Sequence, residues 1–249
     1  MSTVLETSDL HLEEQDQESK EDTLERLLTV AEDADEIWAP GDIGDVRDWN
    51  MFEETFSEHD IEYSLGNMDT KPNESYHADR DTVEDVDPLE DPKLGGSGVK
   101  TDDVTDFVNN IKLFEEKLSG NGYNVMFSHN PKHVGIDSWN EEFIPDEEND
   151  RGRATADHPF YDIIVTAHYH NGGAYVNENG ALVVKSPSAR ENYKEGAPER
   201  TSQLIEFSED YINVREVDLD SPDGEPVYEK TFRYDGEGFE EIDPREYLE

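Results

Sequence analysis

The chain has 249 residues, 33% of them hydrophobic, and a formal net charge of −44. That length suits one large α/β domain or two small ones, and the charge argues against tight binding to a bare nucleic-acid backbone through basic patches. There is no cysteine, which excludes a disulfide framework and a thiolate metal site.

Low hydrophobicity with high net charge also marks disordered chains. Here the acidic residues run along the whole sequence, and compact apolar runs recur, as in Tyr161-Asp162-Ile163-Ile164-Val165 and Tyr123-Asn124-Val125-Met126-Phe127. A folded protein this acidic repels itself at low salt, and molar salt confines that repulsion to roughly 3 Å. The charge distribution therefore reads as halophilic; an acidic protein built for a basic partner concentrates its charge in one tract. No apolar run approaches a membrane span. The start, Met1 to Glu6, lacks the basic region of a signal peptide. The expectation is a soluble, cytoplasmic protein without membrane contact.

In chain order, Val4 to Thr7 reads as a strand ending at Ser8-Asp9. Leu24, Leu27, Leu28 and Ala31 form one apolar stripe of a helix, with Asp22 as its expected cap and Glu25 three residues on. Glu36 to Ala39 is a second strand, closed by Pro40-Gly41, and Trp49, Phe52 and Phe56 suit the buried side of another helix. Ile61 to Leu65 is a third strand, closed by Gly66-Asn67. Strands alternating with helices indicate βαβ units and a partly parallel sheet. Residues 70–101 break the rhythm as an acidic loop insert, punctuated by Pro72, Pro88, Pro92 and Gly95-Gly96-Ser97-Gly98.

Val104, Phe107, Val108, Ile111 and Leu118 predict a further helix, stopped by Gly120-Asn121-Gly122. Strands follow at Tyr123–Phe127, ending at Ser128-His129, and at Tyr161–Val165, ending at Thr166-Ala167-His168-Tyr169-His170. Between them residues 137–158 form a second polar loop. Two hairpins come next, one around Asn177-Glu178-Asn179-Gly180 and one around Ser208-Glu209-Asp210. Residues 218–249 are an acidic C-terminal extension with one strand near Tyr228–Tyr234.

A recurrent pattern joins these strands: an apolar run, then a metal-capable residue at its C-terminal end. It recurs in Asp9-Leu10-His11, Gly41-Asp42-Ile43-Gly44-Asp45, Gly66-Asn67-Met68-Asp69, Ser128-His129 and His168-Tyr169-His170. Carboxyl ends of strands are where open α/β sheets bind ligands. Carboxylate and imidazole without thiolate suit Mn, Fe, Zn or Ni. Alternate residues of an extended backbone, Asp9 with His11 or His168 with His170, point the same way. Two metals about 3.5–4 Å apart can clamp the attacking and leaving oxygens of a phosphoryl transfer, and water held between them ionises near neutral pH.

In this order (DxH, GDxxD, GNxD, H, HxH) the blocks resemble the calcineurin-like metallophosphoesterase family, over residues 4 to about 217. Phe127-Ser128-His129-Asn130-Pro131 is similar to the family's short His-x-Pro block. The resemblance implies an α/β fold, a β-sandwich of mixed sheets flanked by helices, forming a single domain over residues 1–249. It implies hydrolysis of a phosphoester substrate by a hydroxide bridging two divalent metal ions. Asp9, His11, Asp42 and His170 would hold one metal, and Asp42, Asn67, His129 and His168 the other, with Asp42 bridging. Asp45 would orient a ligand from outside the coordination shell.

Met68 stands where the family usually has the His that protonates the leaving group. A thioether cannot donate a proton, so the expectation leans to phosphodiesters, whose hydrolysis suffers least from losing that acid. Asp69 is either a proton relay or the residue that holds the turn. Met68 also keeps open a non-catalytic metal-binding or scaffold protein of the same fold. Singly, each block has a bland reading, because Gly, Asp and Asn are turn residues; their co-occurrence favours the metal site. His59, His77, His133 and His158 are read as ordinary structural histidines.

Overall fold

The computed structural model describes residues 1–66, 69, 111–129, 162–170, 172–189, 200–222, 226–236 and 238–243. The loops expected at 70–101 and 137–158 fall outside this set. The N-terminal part follows the expected alternation: β1 (Ser2–Glu6), α1 (Gln17–Ala31), β2 (Glu36–Ala39), α2 (Val46–Thr55) and β3 (Asp60–Tyr63). β1, β2 and β3 pair in parallel. Next come β4 (Ile111–Leu118), β5 (Asn121–Ser128), β6 (Ile163–Thr166), β7 (Gly173–Val176) and β8 (Leu182–Lys185). The chain continues through β9 (Thr201–Phe207), β10 (Ile212–Asp218), β11 (Tyr228–Tyr234) and β12 (Phe239–Ile242). One sheet has seven strands in the order β12-β11-β10-β9-β1-β2-β3, and the other five in the order β4-β5-β6-β8-β7. Both mix parallel and antiparallel pairs. No helix among the described residues is long and apolar enough to cross a membrane.

Alternation along the strands sorts side chains between two cores. Val4, Trp38, Ile205, Phe207 and Val214 of the larger sheet meet Val125, Phe127, Ile163, Val165 and Val184 of the smaller one. Trp38 is the hinge of this layer, its ring 5.5 Å from Phe127 and 5.9 Å from Phe207. Leu5, Ile37 and Ala39 face the other way and pack under α1 and α2 with Leu24, Leu27, Trp49, Phe52 and Phe56. A sandwich of mixed sheets with helices on one flank results.

Several local expectations are corrected. The helix over 104–118 is not formed in its described part: Ile111–Leu118 is β4, paired antiparallel with β5 from Ile111↔Ser128 to Leu118↔Asn121. Ser119 and Gly120 make a hairpin turn rather than a helix stop, at φ 51° and 91°, the double positive φ of a tight primed turn, and Gly122 lies within β5. α1 starts earlier than the apolar stripe indicates. Asp16, not Asp22, caps it by accepting from Ser19 N, while Leu28 is 38% exposed. Asp22 instead meets Arg26 and Arg200. The C-terminal region carries β12 in addition to the expected β11.

Candidate metal centre

The larger sheet supplies Asp9 and His11 just past β1 and Asp42 just past β2; the smaller supplies His129 past β5 and His168 and His170 past β6. The neighbouring strand ends of the two sheets thus bring these side chains together. The connecting loops are laced together by backbone hydrogen bonds: Asp9 N to Gly41 O (3.0 Å), His11 N to Asp42 O (3.1 Å) and Leu12 N to Ile43 O (3.0 Å). His168 N donates to Asp9 Oδ2 at 3.0 Å, which ties the loop of one sheet to a carboxylate of the other.

The backbone here is not extended, contrary to the sequence expectation. Asp9, His11, Asp42, His168 and His170 all sit at positive φ, between 48° and 75°. Left-handed backbone is uncommon for residues with side chains and tends to persist where function requires it. Two glycines make the tight fit possible. A Cβ on Gly41 would lie 2.4 Å from Gly66 N, and one on Gly66 would lie 2.1 Å from Asp42 Oδ1.

The side chains converge in two groups. Asp9, His11 and His170 can each offer an atom with all three within 4.8 Å of one another, and so can Asp42, His129 and His168. Asp42 joins the groups: its Oδ2 is 3.1 Å from His129 Nε2 and 3.9 Å from His11 Nε2. Asp9 Oδ1 is 3.3 Å from His170 Nε2 and 4.0 Å from His11 Nε2. Asp9 is fully buried and His129 4% exposed, and among the described residues Asp9 Oδ1 and His129 Nε2 have these carboxylate–imidazole contacts and no further hydrogen-bond partner. Buried polar atoms left so are costly. A cation suits them, because carboxylate oxygen and imidazole nitrogen are its ordinary ligands.

The electrostatics are those of tightly packed opposite charges. Burial disfavours the Asp9 carboxylate, but His170 and His129 outweigh it and hold its pKa at about 2. Burial likewise opposes charge on His129, and Asp42, with help from Asp9 and Asp69, raises its pKa to about 9. His168 is pushed down by burial and by His129. Asp69 is pushed up to about 7 by burial and the Asp42 charge.

Asp69 and Asp45 both bind backbone. Asp69 accepts from Asp42 N (2.8 Å), Gly44 N (3.0 Å), Gly66 N (2.6 Å) and Trp49 Nε1 (3.0 Å). It clamps the Asp42 loop against the end of β3. Asp45 caps α2, accepting from Arg47 N at 2.8 Å and Asp48 N at 3.2 Å. Asn67 and Met68 lie outside the described residues, as do His77, His133 and His158. His59 sits apart, its Nε2 3.2 Å from Ala31 O.

Sequence reasoning missed the supports. Ser8 Oγ donates to Asp9 Oδ2 at 2.7 Å and Ser188 Oγ to Asp9 O at 2.9 Å. Ser186 donates to the buried Glu6. His129 Nδ1 lies 3.1 Å from Pro40 O, which leaves Nε2 directed at Asp42. Serines past the end of β8 carry no motif, so only the fold reveals them.

No protein-family model and no curated protein matches the sequence. Solved structures do. The chain is similar to a dimetal phosphatase from Danio rerio, with a TM-score of 0.54, 11% identity, and 94% of this chain and 99% of that one covered. It is also similar to a conserved uncharacterized protein, a predicted phosphoesterase, from Streptococcus pneumoniae, with a TM-score of 0.50, 14% identity and 97% of each chain covered. Vacuolar protein sorting 29 from Cryptosporidium parvum aligns with a TM-score of 0.49 and 12% identity, over 97% of this chain and 95% of that one. The fold is that of the metallophosphoesterases. At identities this low the likeness defines the fold and leaves the activity to the site.

Proposed function

We propose that this protein is a metal-dependent phosphoesterase. Asp9, His11, Asp42 and His170 would hold one divalent cation, and Asp42, Asn67, His129 and His168 would hold a second, with Asp42 shared between them. The observation that carries this reading is the placement of Asp42 Oδ2 within 3.1 Å of His129 Nε2 and 3.9 Å of His11 Nε2, between the two donor groups. Bound there, two divalent cations (Mn, Fe, Zn or Ni) would acidify water to a pKa of about 7 and would stabilise charge on phosphoryl oxygens.

The chain's own part is positional. Buried Asp9 stays ionised and braces the loop of His168. Asp69 holds the Asp42 loop by accepting from the backbone amides of Asp42 and Gly44. With Met68 at the position of the family's usual acid, no side chain of that position protonates a leaving group. The substrate is accordingly a phosphodiester, and the acidic surface adapts the enzyme to a salt-rich cytoplasm.

The test is hydrolysis of bis-p-nitrophenyl phosphate and of p-nitrophenyl phosphate, at high salt with added Mn²⁺, by the native protein and by Asp42→Ala. Diester preference that Asp42→Ala abolishes supports the proposal. Monoester preference overturns the diester assignment. A protein that retains no divalent metal and is unchanged by Asp42→Ala is a scaffold of this fold.

A further inference from the structure

One carboxylate outside the donor set bears on it directly. Glu13 lies in the 3-10 turn Leu12–Glu14 that follows His11. Its Oε1 is 3.4 Å from His11 Nδ1, and its side chain is 9% exposed. Its Oε2 is buried and has no hydrogen-bond partner among the described residues. Burying a carboxylate without full compensation is costly, so the position calls for an explanation.

His11 provides one. Its other nitrogen, Nε2, faces His170 Nε2 at 3.4 Å, Asp42 Oδ2 at 3.9 Å and Asp9 Oδ1 at 4.0 Å. A neutral imidazole that donates from Nδ1 must present its lone pair at Nε2. His129 shows the same division of labour, with Nδ1 3.1 Å from Pro40 O and Nε2 3.1 Å from Asp42 Oδ2. For His129 the orienting acceptor is a backbone carbonyl; for His11 it is a side chain.

We infer that Glu13 is a positioning residue for the candidate metal centre: it accepts the Nδ1–H of His11, fixes the ring and its tautomer, and so directs Nε2 at the cation. This rests on the metal-site reading above. It also assigns a role to a residue outside the metal-binding motifs, since Glu13 falls two positions beyond the Asp9-Leu10-His11 block. Such outer partners tune a ligand's orientation and basicity. The competing role is that of a ligand in its own right, because His11, Glu13 and Glu14 can also bring one atom each within 4.8 Å of one another.

The experiment uses the full chain with ¹⁵N-labelled histidine, as native protein, Glu13→Gln and Glu13→Ala. In metal-free protein, at a pH that leaves the imidazoles neutral, the nitrogen shifts report the tautomer of His11. The native protein and Glu13→Gln, whose amide oxygen still accepts, should hold the Nδ1–H form, and Glu13→Ala should lose it. Calorimetric titration with Zn²⁺ should show Glu13→Ala weakening one site by about 10–100-fold and sparing the other, with Glu13→Gln close to native. An unchanged tautomer or unchanged Zn²⁺ affinity in Glu13→Ala overturns the inference. Equal loss in Glu13→Gln and Glu13→Ala also overturns it, and makes the carboxylate a ligand. If the native protein binds no Zn²⁺, the phosphoesterase reading fails on its own, and the tautomer still decides whether Glu13 orients His11.

Discussion

His11 Nε2 and His170 Nε2 stand 3.4 Å apart, although 159 positions of sequence separate the two residues. Two neutral imidazoles cannot both direct lone pairs into that gap without repulsion; a shared proton or a cation relieves it. The expected outcome is stabilisation by metal. Mn²⁺ at about 100 times its Kd adds about 2.7 kcal/mol when it binds only the folded state. Chelation should lower Tm, Mn²⁺ should restore it, and His170→Ala should shrink the increment. Melting curves that ignore both chelator and Mn²⁺ count against the metal centre.

Asp69 makes the second prediction because all its described hydrogen bonds are to N–H donors: the backbone of Asp42, Gly44 and Gly66, and the Trp49 indole. Asp69→Asn retains one oxygen and places an NH₂ group against donors. Buried donors left unmatched cost about 1–3 kcal/mol, so denaturant unfolding should show a loss of that order. Metal affinity should fall too, because Asp42 rides on the released loop. Trp49→Phe, which removes one donor and keeps the aromatic packing, should cost less. If Trp49→Phe costs as much as Asp69→Asn, the backbone clamp is not what matters.

The strand ends were legible in the sequence because each couples a short apolar run to Gly, Asp or His, as in Glu36 to Asp42 or Ile163 to His168. What the sequence hid was how those residues are held. The left-handed backbone at Asp9, His11 and His168 results from loops of two sheets packing together, which no local preference encodes. The apolar spacing from Val104 onward fits a helical period, while the signal that makes β4 a strand is tertiary: a tight turn at Ser119-Gly120 folding the segment onto β5. The α1 cap is hidden in the sequence for a related reason. The first turn of that helix is polar, and Asp16 lies before the apolar stripe begins.

The net charge of −44 predicts the salt response. Screening shortens from about 10 Å at 0.1 M to about 3 Å at 1 M salt, so self-repulsion of the folded state fades across that range. Tm should climb with KCl from 0.1 M into the molar range, and NaCl should act alike, since screening is indifferent to the cation. A Tm that falls or stays flat over this range removes the halophilic assignment without touching the metal centre.

Glu6 sets a pH dependence that separates stability from chemistry. It lies between the sheets, fully buried, opposite Gln203 in the β1–β9 register. Among the described residues, Glu6 Oε2 and Gln203 Oε1 are both buried acceptors without a hydrogen-bond partner. Burial pushes the Glu6 pKa well above 4.5; the Ser186 hydrogen bond only partly offsets this, and the charges of Asp9 and Glu216 add to it. Glu216 is itself raised by burial, against the pull of Thr201 and Lys185. A carboxyl whose folded-state pKa is raised contributes stability that is complete below its unfolded pKa and is lost as pH rises through the folded one. The native protein should therefore lose stability from about pH 4.5 upward on account of this group. Glu6→Gln cannot ionise, and its amide can donate to Gln203. It should match the native protein near the acid end of the range and exceed it increasingly toward neutral and alkaline pH. Unfolding curves at molar salt check this: a difference between the two proteins that stays constant with pH would mean that Glu6 is ionised in the fold and that the inter-sheet layer carries its charge.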